Sequence, residues 1–155
     1  MAAIDFIREE TGPYAEKIVV FGHHLDVLHA LQDALGSESV LVTGQTSADA
    51  RQQAIDAFQK DKGIKYFVAS TRAMGLGISL TASSHVIFVE ADWTPAILEQ
   101  AEARLARIGQ EARGVLAQYL VLENSIDENI LAAVQEKMTV INQIIDKVYD
   151  TSVHK

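Results

Sequence analysis

The stretch KIVVFGHHLDVLHALQDALG, residues 17–36, places a short β-branched run directly before a helical pattern of leucines. Valine, isoleucine and phenylalanine favour strands, and this run ends at Gly22. The helical pattern covers His24–Leu35 and stops before Gly36, a residue type that commonly ends helices. Its leucines are Leu25, Leu28, Leu31 and Leu35. The stretch therefore predicts one strand followed by one helix.

The same alternation of strand and helix continues through most of the chain. Further strands are predicted at Val40–Val42, Tyr66–Ala69, Val86–Val89 and Gln118–Leu122. Helices are predicted at Ser47–Lys60, with Ala50, Ala54, Ile55 and Phe58 facing inward, and at Thr94–Gly109. Alternating strands and helices form parallel sheets, because each helix carries the chain back to begin the next strand. The sequence therefore predicts the α/β class, with a doubly wound, mainly parallel sheet and helices on both faces.

The last part of the chain predicts a long amphipathic helix. It begins at the capping box Ser125-x-x-Glu128 and continues with apolar residues at helical spacing. These residues are Ile126, Ile130, Val134, Met138, Ile141, Ile145 and Val148. We expect the stripe to pack on the sheet domain, although a separate partner domain would also bury it. The predicted organisation is an N-terminal extension over 1–16, a sheet domain over 17–123, and a helix with a tail over 124–155.

Composition limits what this domain can do. A length of 155 residues, 48% of them hydrophobic, supports one globular domain with its own core. The absence of cysteine excludes disulfides and thiolate metal sites. The sequence has neither an apolar run of about eighteen residues nor a signal peptide, so we expect no membrane contact and an intracellular location, whether cytoplasmic, nucleoid or nuclear. The net charge of −8 limits any nucleic-acid contact to a local surface.

Ligands of open parallel sheets bind at the carboxyl ends of the strands, and three segments of the sequence follow predicted strands in this way. The first, Ser70–Leu80, carries Gly75 and Gly77 just after a pair of hydroxyl residues. Glycines let a backbone come close to a ligand and point its N–H groups at phosphate oxygens. Taken alone, this spacing is more typical of an ordinary turn.

The second segment is the predicted helix that carries Gln100, Arg104 and Arg107. At about 100° per residue, these side chains fall within roughly 60° of one another. Two guanidinium groups on one edge could bind the charge that develops on a phosphoryl group. For any single arginine, a solvated face paired with neighbouring glutamates is the more common arrangement, and spacing alone leaves both interpretations open.

The third segment, Val42–Ser47, joins a strand to a helix through small hydroxyl residues and Gly44. Such a helix beginning can bind one backbone phosphate of a nucleic acid, although capping of the helix is the more common role and the two roles are compatible. The histidines show no spacing typical of a metal site or a catalytic triad, so we predict loop or surface positions for them and no metal. They are His23, His24, His29, His85 and His154.

Two motifs of nucleotide hydrolases are missing from the sequence. It contains no G-x-x-x-x-G-K-[ST] phosphate loop, and no predicted strand ends in a D-E-x-H or D-E-A-D sequence. These motifs hold the β- and γ-phosphates and the magnesium ion. We therefore expect that this chain cannot hold Mg²⁺-ATP unaided.

Taken in order, four segments resemble the C-terminal helicase lobe of the Swi/Snf family, within superfamily 2 of DNA-dependent ATPases. KIVVFGHHLDVLHAL is similar to motif IV and its following helix, and VTGQTSADARQQAIDAF is similar to the next block of the family. STRAMGLGISLTASSHVIF is similar to motif V, and DWTPAILEQAEARLARIGQ is similar to motif VI with its lead-in. The closing stretch YLVLENSIDENILAAVQEKMTVINQIID resembles the branch of annealing helicases and fork-remodelling translocases.

This resemblance implies a RecA-like fold and a motor of two such lobes, with ATP and Mg²⁺ between them and double-stranded or branched DNA across both. An N-terminal RecA-like ATPase lobe would be the partner and would hold most of the nucleotide, while this chain would supply arginine fingers. The resemblance assigns catalytic roles to Arg107, Arg104 and Gln100, nucleotide approach to Gly75 and Gly77, and DNA-phosphate contacts to Thr71, Gly44 and His23.

Two other functions stay open at this point. The chain could be a RecA-like module that binds a partner protein without catalysis, with the arginines as surface charge, or a lobe of an RNA helicase, which shares the fold. The R-I-G-Q sequence at 107–110 and the Trp93-Thr94-Pro95 lead-in resemble the DNA-translocase branch rather than the RNA branch. On the favoured hypothesis, the chain is one lobe of a DNA-dependent ATP hydrolase and is inactive by itself.

Overall fold

The computed structural model describes residues 2–11, 17–76, 80–90 and 116–120. The helices in this part of the chain are α1 (Ala2–Asp5), α2 (Leu25–Leu35) and α3 (Ala48–Lys60). The strands are β1 (Ile18–Gly22), β2 (Ser39–Val42), β3 (Tyr66–Ser70), β4 (His85–Phe88) and β5 (Leu116–Tyr119). A π-helical turn covers Phe6–Thr11, and 3₁₀ turns cover Gly36–Glu38 and Thr71–Leu76.

The five described strands form one parallel sheet in the order β2-β3-β1-β4-β5. In the centre of the sheet, Val20 of β1 lies beside Val68 of β3 on one side and Ile87 of β4 on the other. The chain begins the sheet at β1, builds β2 and β3 on one side, and then crosses to build β4 and β5 on the other. This reversal defines a doubly wound sheet. The predicted α/β class and parallel sheet are confirmed.

Side chains of successive residues in a strand point to opposite faces, and the core divides accordingly. Val19 and Phe21 of β1 pack with Phe58 of α3 on one face. Ile18 and Val20 pack on the other face, where they meet leucines of α2. The leucines are Leu28, Leu31 and Leu35. The described helices α2 and α3 therefore lie on opposite faces of the sheet, and the result is a three-layer arrangement.

Aromatic rings extend the α3 side of the core across three strands. The ring centroids of Phe21 and Phe88 are 5.8 Å apart, and those of Phe88 and Tyr119 are 4.9 Å apart, with both pairs stacked. Such pairs add a directional preference to the burial of apolar area. They connect β1, β4 and β5 in one continuous apolar layer.

Three details of the helices and strands differ from the sequence predictions. Ala50 and Leu25 are exposed, although the helical spacing predicted an inward position for the first and grouped the second with the core leucines. Both lie in the first turn of their helices, at the carboxyl ends of the strands that precede them. The last strand also begins earlier than predicted, at Leu116 rather than Gln118, because its pairing with β4 starts beside His85.

The N-terminal residues contribute to the core. Ile4 and Ile7 are buried against the α2 side of the sheet, and the guanidinium group of Arg8 donates a hydrogen bond to the carbonyl oxygen of Ala34. Residues 2–11 thus pack on the sheet domain rather than extending from it. The predicted domain boundary at residue 17 stays a prediction.

The predicted helix over 94–109 and the long C-terminal helix from Ser125 lie outside the described residues, so both stay predictions. Among the helices of the described ranges, none is long and apolar enough to cross a membrane.

Candidate functional site

Because the strands are parallel, their carboxyl ends meet at one edge of the sheet, which we call the carboxyl edge. Thr43–Ser47 follow β2 there, and Thr71 follows β3. His23 and His24 follow β1, and Val89 and Glu90 follow β4. Polar and hydroxyl side chains thus follow four adjacent buried strands. This edge is the place to seek a ligand site.

The turn between β2 and α3 satisfies its own hydrogen bonds. The Thr43 N–H donates to Thr46 Oγ1 over 2.9 Å, and the Gln45 N–H donates to Thr43 Oγ1 over 3.2 Å. Ser47 Oγ then accepts the Ala50 N–H over 3.2 Å and caps α3. The capping role predicted for this segment is confirmed. Ser47 takes up one free N–H group of the helix beginning, whereas the others remain available to solvent or a ligand.

Gly44 lies exposed at the tip of this turn. A Cβ atom built at Gly44 would have no heavy atom within 4 Å. Nothing in the described structure therefore requires glycine at this position for folding. A glycine here leaves the backbone accessible to a ligand, since no side chain stands in the way.

Thr71, the first residue after β3, carries a buried hydroxyl group without a partner. The residue is 4% exposed, and its Oγ1 atom makes no hydrogen bond in the described structure. Its neighbour Ser70 does have a bond, since Ser70 Oγ accepts the Arg72 N–H over 3.2 Å. Native proteins pair nearly all buried polar groups, so an unpaired hydroxyl at a sheet edge requires an explanation.

The turn between β1 and α2 is held by a distant carboxylate. Glu90, just after β4, accepts the His23 N–H over 2.6 Å and the His24 N–H over 2.8 Å, both with Oε2. Its Oε1 lies 2.5 Å from Nδ1 of the His24 ring. No side chain from the start of α2 itself caps this helix. Glu90 therefore performs the capping from across the sheet.

The surroundings of Glu90 stabilise its ionised form. Burial alone would raise the pKa of this carboxyl, but hydrogen bonds from the backbone and ring of His24 and from the backbone of His23 hold the pKa below its usual value. The adjacent Gly22 makes room for the carboxylate, because a Cβ atom there would lie 3.2 Å from Glu90 Oε2 and 2.9 Å from Leu28 Cδ2. The ionised Glu90 carboxylate is thus packed closely against Gly22 at the end of β1.

Half of the predicted site residues lie in the described structure. His23, Gly44 and Thr71 all follow strands at the carboxyl edge. Thr71 follows β3, which lies between the β2 strand before Gly44 and the β1 strand before His23. Gly75 belongs to the 3₁₀ turn Thr71–Leu76 that continues from β3. The others lie outside the described residues: Gly77, Gln100, Arg104 and Arg107.

The histidine prediction is right for three residues and wrong for one. His23, His24 and His29 are exposed. His85 is 8% exposed at the beginning of β4, and its Nε2 lies 2.5 Å from Oε1 of Gln118 on β5. It was expected at the surface, but the paired strand covers it. His154 lies outside the described residues.

Glu90 is the residue at this edge that the sequence prediction missed. An acidic residue directly after the apolar run at 86–89 marks the carboxyl end of a buried strand, and that position was the available signal. Its partners at His23 and His24 lie 67 and 66 residues away, which local patterns cannot indicate. Among the described residues, no group of three His, Cys, Asp or Glu residues could hold a metal ion.

Comparison with known proteins connects this fold to a family. The helicase conserved C-terminal domain matches residues 3–109. The chain belongs to this family. The match begins within α1 and runs past the arginines at 104 and 107, so it covers the described carboxyl edge and the predicted motif VI except for its last residue, Gln110. It also includes the N-terminal residues that pack on the sheet.

Relatives of this helicase C-terminal domain agree with the predicted resemblance. The "SWI/SNF-related matrix-associated actin-dependent regulator of chromatin subfamily A-like protein 1" of Drosophila melanogaster is 36% identical over 132 residues, covering 83% of this chain and 17% of that protein. The human "DNA annealing helicase and endonuclease ZRANB3" is 31% identical over 148 residues, covering 94% of this chain and 14% of that protein. The chain thus spans less than a fifth of these relatives.

A solved structure supports the same conclusion for the fold. The C-terminal part of the Fun30 ATPase domain superimposes with a TM-score of 0.71 at 30% identity, covering 86% of this chain and 43% of that one. The predicted resemblance to the C-terminal lobe of the Swi/Snf family is confirmed, and with it the RecA-like fold of this helicase C-terminal domain.

Proposed function

We propose that this chain is the second RecA-like lobe of an ATP-driven translocase or helicase-like remodeller of double-stranded DNA. Two relatives support this proposal by their printed names, one as a regulator of chromatin and one as a DNA annealing helicase. By the same comparison we propose an intracellular location on DNA. The partner that completes the motor would be an N-terminal RecA-like ATPase lobe.

The observation that carries the DNA-binding part of this proposal is the unpaired hydroxyl of Thr71. Burying a hydroxyl without a hydrogen bond costs free energy, so the group is expected to find a partner in some functional state. A phosphate oxygen of a DNA strand at the carboxyl edge would accept this hydrogen bond. Gly44, exposed on the turn after the adjacent strand, would let its backbone reach the same strand of DNA.

His23 would contribute to this contact through its ring alone. Its backbone N–H is already bonded to Glu90, whereas the residue itself is exposed. With a net charge of −8, the chain does not favour DNA over a broad surface. The contact would therefore be local, and the N-terminal lobe would supply most of the positive charge.

The nucleotide part of the proposal concerns the predicted motif VI. Arg107 and Arg104 would reach the γ-phosphate when the two lobes close, and Gln100 would hold the same edge. A planar and permanently charged donor suits the negative charge that spreads over the phosphoryl group in the transition state. Gly75 and Gly77 would let the backbone after β3 approach the nucleotide and the tracked DNA strand.

The described residues and the motifs of the sequence do not fit a complete Mg²⁺ site. The described residues hold no cluster of acidic or histidine ligands, and the sequence has no phosphate loop. We therefore propose that the N-terminal lobe binds the magnesium ion and most of the ATP. The chain by itself should hydrolyse no ATP, and hydrolysis would depend on lobe closure.

The test is DNA-stimulated ATP hydrolysis by this chain combined with its N-terminal lobe. We expect Arg107→Ala to reduce kcat by about 10³-fold, because arginine fingers contribute on this scale, while ATP binding is retained. Lys60→Ala is the matched control, since it removes one positive charge from a side chain that is 79% exposed at the far end of α3. The control should keep full activity.

Three results would contradict the proposal. Full activity of Arg107→Ala would make the arginine a surface charge. Stimulation by RNA in place of DNA would favour the RNA-helicase alternative. No stimulation by either nucleic acid, together with a stable complex of the two proteins, would favour a module that only binds a partner.

A further inference from the structure

The beginning of α2 holds a negative charge that the chain itself supplies. Free N–H groups and the helix dipole make such a beginning attractive to anions. In α2 the anion is the Glu90 carboxylate, at 2.6 Å from the His23 nitrogen and 2.8 Å from the His24 nitrogen. The second oxygen of the carboxylate is taken by the His24 ring. Both oxygens of Glu90 are therefore in use.

The carboxylate is shielded on the side of the sheet and remains partly exposed to solvent. The Glu90 side chain is 19% exposed, whereas that of its partner His24 is 71% exposed. Gly22 lies directly behind it, at the end of the buried β1 strand, and a Cβ atom there would lie 3.2 Å from Glu90 Oε2 and press on the carboxylate. Glu90 thus packs closely against the end of β1.

A DNA phosphate cannot share this position. The N–H groups of His23 and His24 are already bonded to Glu90, and the carboxylate repels a second anion that comes close to them. The beginning of α3 is different, because its cap is the neutral Ser47 hydroxyl and the exposed Gly44 precedes it. The two helix beginnings at the carboxyl edge thus differ in their capacity to accept phosphate.

We propose that Glu90 is a positioning residue that fixes the turn at His23 and His24 and withholds these two N–H groups from phosphate. Phosphate contacts are thereby favoured at the half of the edge formed by Gly44 and Thr71, and the His23 ring is left for DNA at the end of β1. The consequence for DNA rests on the proposed function, whereas the exclusion of phosphate does not.

The test uses the full chain and inorganic phosphate at constant ionic strength. Glu90→Ala should lower Tm by roughly 5 °C, because it leaves two backbone N–H groups and a ring without their acceptor. Phosphate should then restore part of this loss in a concentration-dependent manner, since it can occupy the vacated position. The wild type should not respond. Glu38→Ala, which removes an exposed carboxylate beside Lys65 before β2, is the matched control and should not respond either.

The proposal is overturned if phosphate stabilises the wild type as much as Glu90→Ala, or if it stabilises neither. Should Glu90→Ala fail to fold, Glu90→Asp keeps the charge but withdraws the carboxylate by one methylene. Amide hydrogen exchange at His23 and His24 should then accelerate about tenfold relative to the wild type, as local opening becomes easier. Unchanged exchange at both amides would also overturn it.

A DNA measurement separates this inference from the proposed function. If the wild-type chain binds duplex DNA, Glu90→Ala should open one additional phosphate contact and steepen the plot of log K against log salt concentration by about 1. An unchanged slope would contradict the claim that Glu90 keeps a DNA phosphate from the N–H groups of His23 and His24. Absence of DNA binding by the wild type would count against the proposed function, while the phosphate titration would still decide the role of Glu90.

Discussion

The helices α2 and α3 begin at the same edge of the sheet, and their beginnings are stabilised in opposite ways. α3 is capped locally by Ser47, a neutral side chain directly before the helix. α2 is capped by the Glu90 carboxylate, which comes from the end of β4, 66 residues away from His24. Both beginnings are exposed, but the first has a neutral cap and the second a charged one. Similar strand-to-helix turns can therefore serve different purposes.

The difference also explains the two glycines of these turns. Gly22 is surrounded by Leu28, Val89 and Glu90, and its missing side chain is a requirement of packing. Gly44 has open space around it, and packing does not require it. If Gly44 is needed, the need comes from a ligand. The comparison thus separates a structural glycine from a candidate functional one.

The largest effect is expected from removing the two caps. Glu90→Ala should lower the free energy of unfolding by about 2 kcal/mol, because it breaks the charged hydrogen bonds to His23 and His24. Ser47→Ala should cost about 1 kcal/mol, the usual value for a lost N-cap. Urea unfolding of both variants measures the difference. An equal or larger loss for Ser47→Ala would mean that the distant cap contributes no more than the local one.

The next largest effect is expected from the glycines. Gly22→Ala should destabilise the chain by about 2 kcal/mol, because its Cβ atom would lie 2.9 Å from Leu28 Cδ2 in the core. Gly44→Ala should leave Tm unchanged but weaken binding to duplex DNA, measured by fluorescence anisotropy with the two lobes combined. A fall in Tm for Gly44→Ala would show that this turn is constrained by folding after all.

A smaller effect is expected from two threonines in the half of the carboxyl edge that contains Gly44 and Thr71. Thr46→Val should cost about 1 kcal/mol, because Thr46 Oγ1 accepts the Thr43 N–H. Thr71→Val should cost nothing or stabilise slightly, since Oγ1 of Thr71 has no partner in the described structure. Thermal unfolding distinguishes the two. Marked destabilisation by Thr71→Val would mean that the hydroxyl has a structural partner and would weaken its assignment to DNA.

The smallest effect is expected from pH. The pKa of Glu90 is held below its usual value of 4.5, so its ionised form stabilises the fold at neutral pH. This stabilisation should disappear as the pH falls through the lowered pKa. Wild type should therefore exceed Glu90→Gln by roughly 0.5 kcal/mol at pH 7, a small value because the carboxylate is partly exposed, and the two should converge in acid. If the stability difference between wild type and Glu90→Gln grew as the pH fell, the stabilising role of the ionised carboxylate would be contradicted.

Local features of this fold could be predicted from sequence because each depends on neighbouring residues. The strand and helix that share residues 17–36 follow from residue type and spacing, and Gly36 ends α2 with a φ of 65° that favours glycine. The Ser47 cap depends on residues three positions apart. For the same reason the resemblance to the helicase lobe could be recognised, since its motifs are continuous in sequence.

The features that could not be predicted depend on contacts between distant residues. The capping of α2 by Glu90 requires β4 to lie beside β1, which the sequence pattern does not specify. The burial of His85 requires β5 beside β4, and the burial of Ile4 and Ile7 requires the N-terminal residues to fold back onto α2. Each follows from the order of the strands and helices in space rather than along the chain.

The central claim is that this chain acts as one lobe of a DNA-dependent motor, and the most direct measurement is ATP hydrolysis by the chain, by its N-terminal lobe, and by both combined, with and without duplex DNA. The account predicts no turnover by the chain alone and DNA-stimulated turnover only when both lobes are present. Turnover by the pure chain, or turnover of the N-terminal lobe that this chain does not increase, would contradict it.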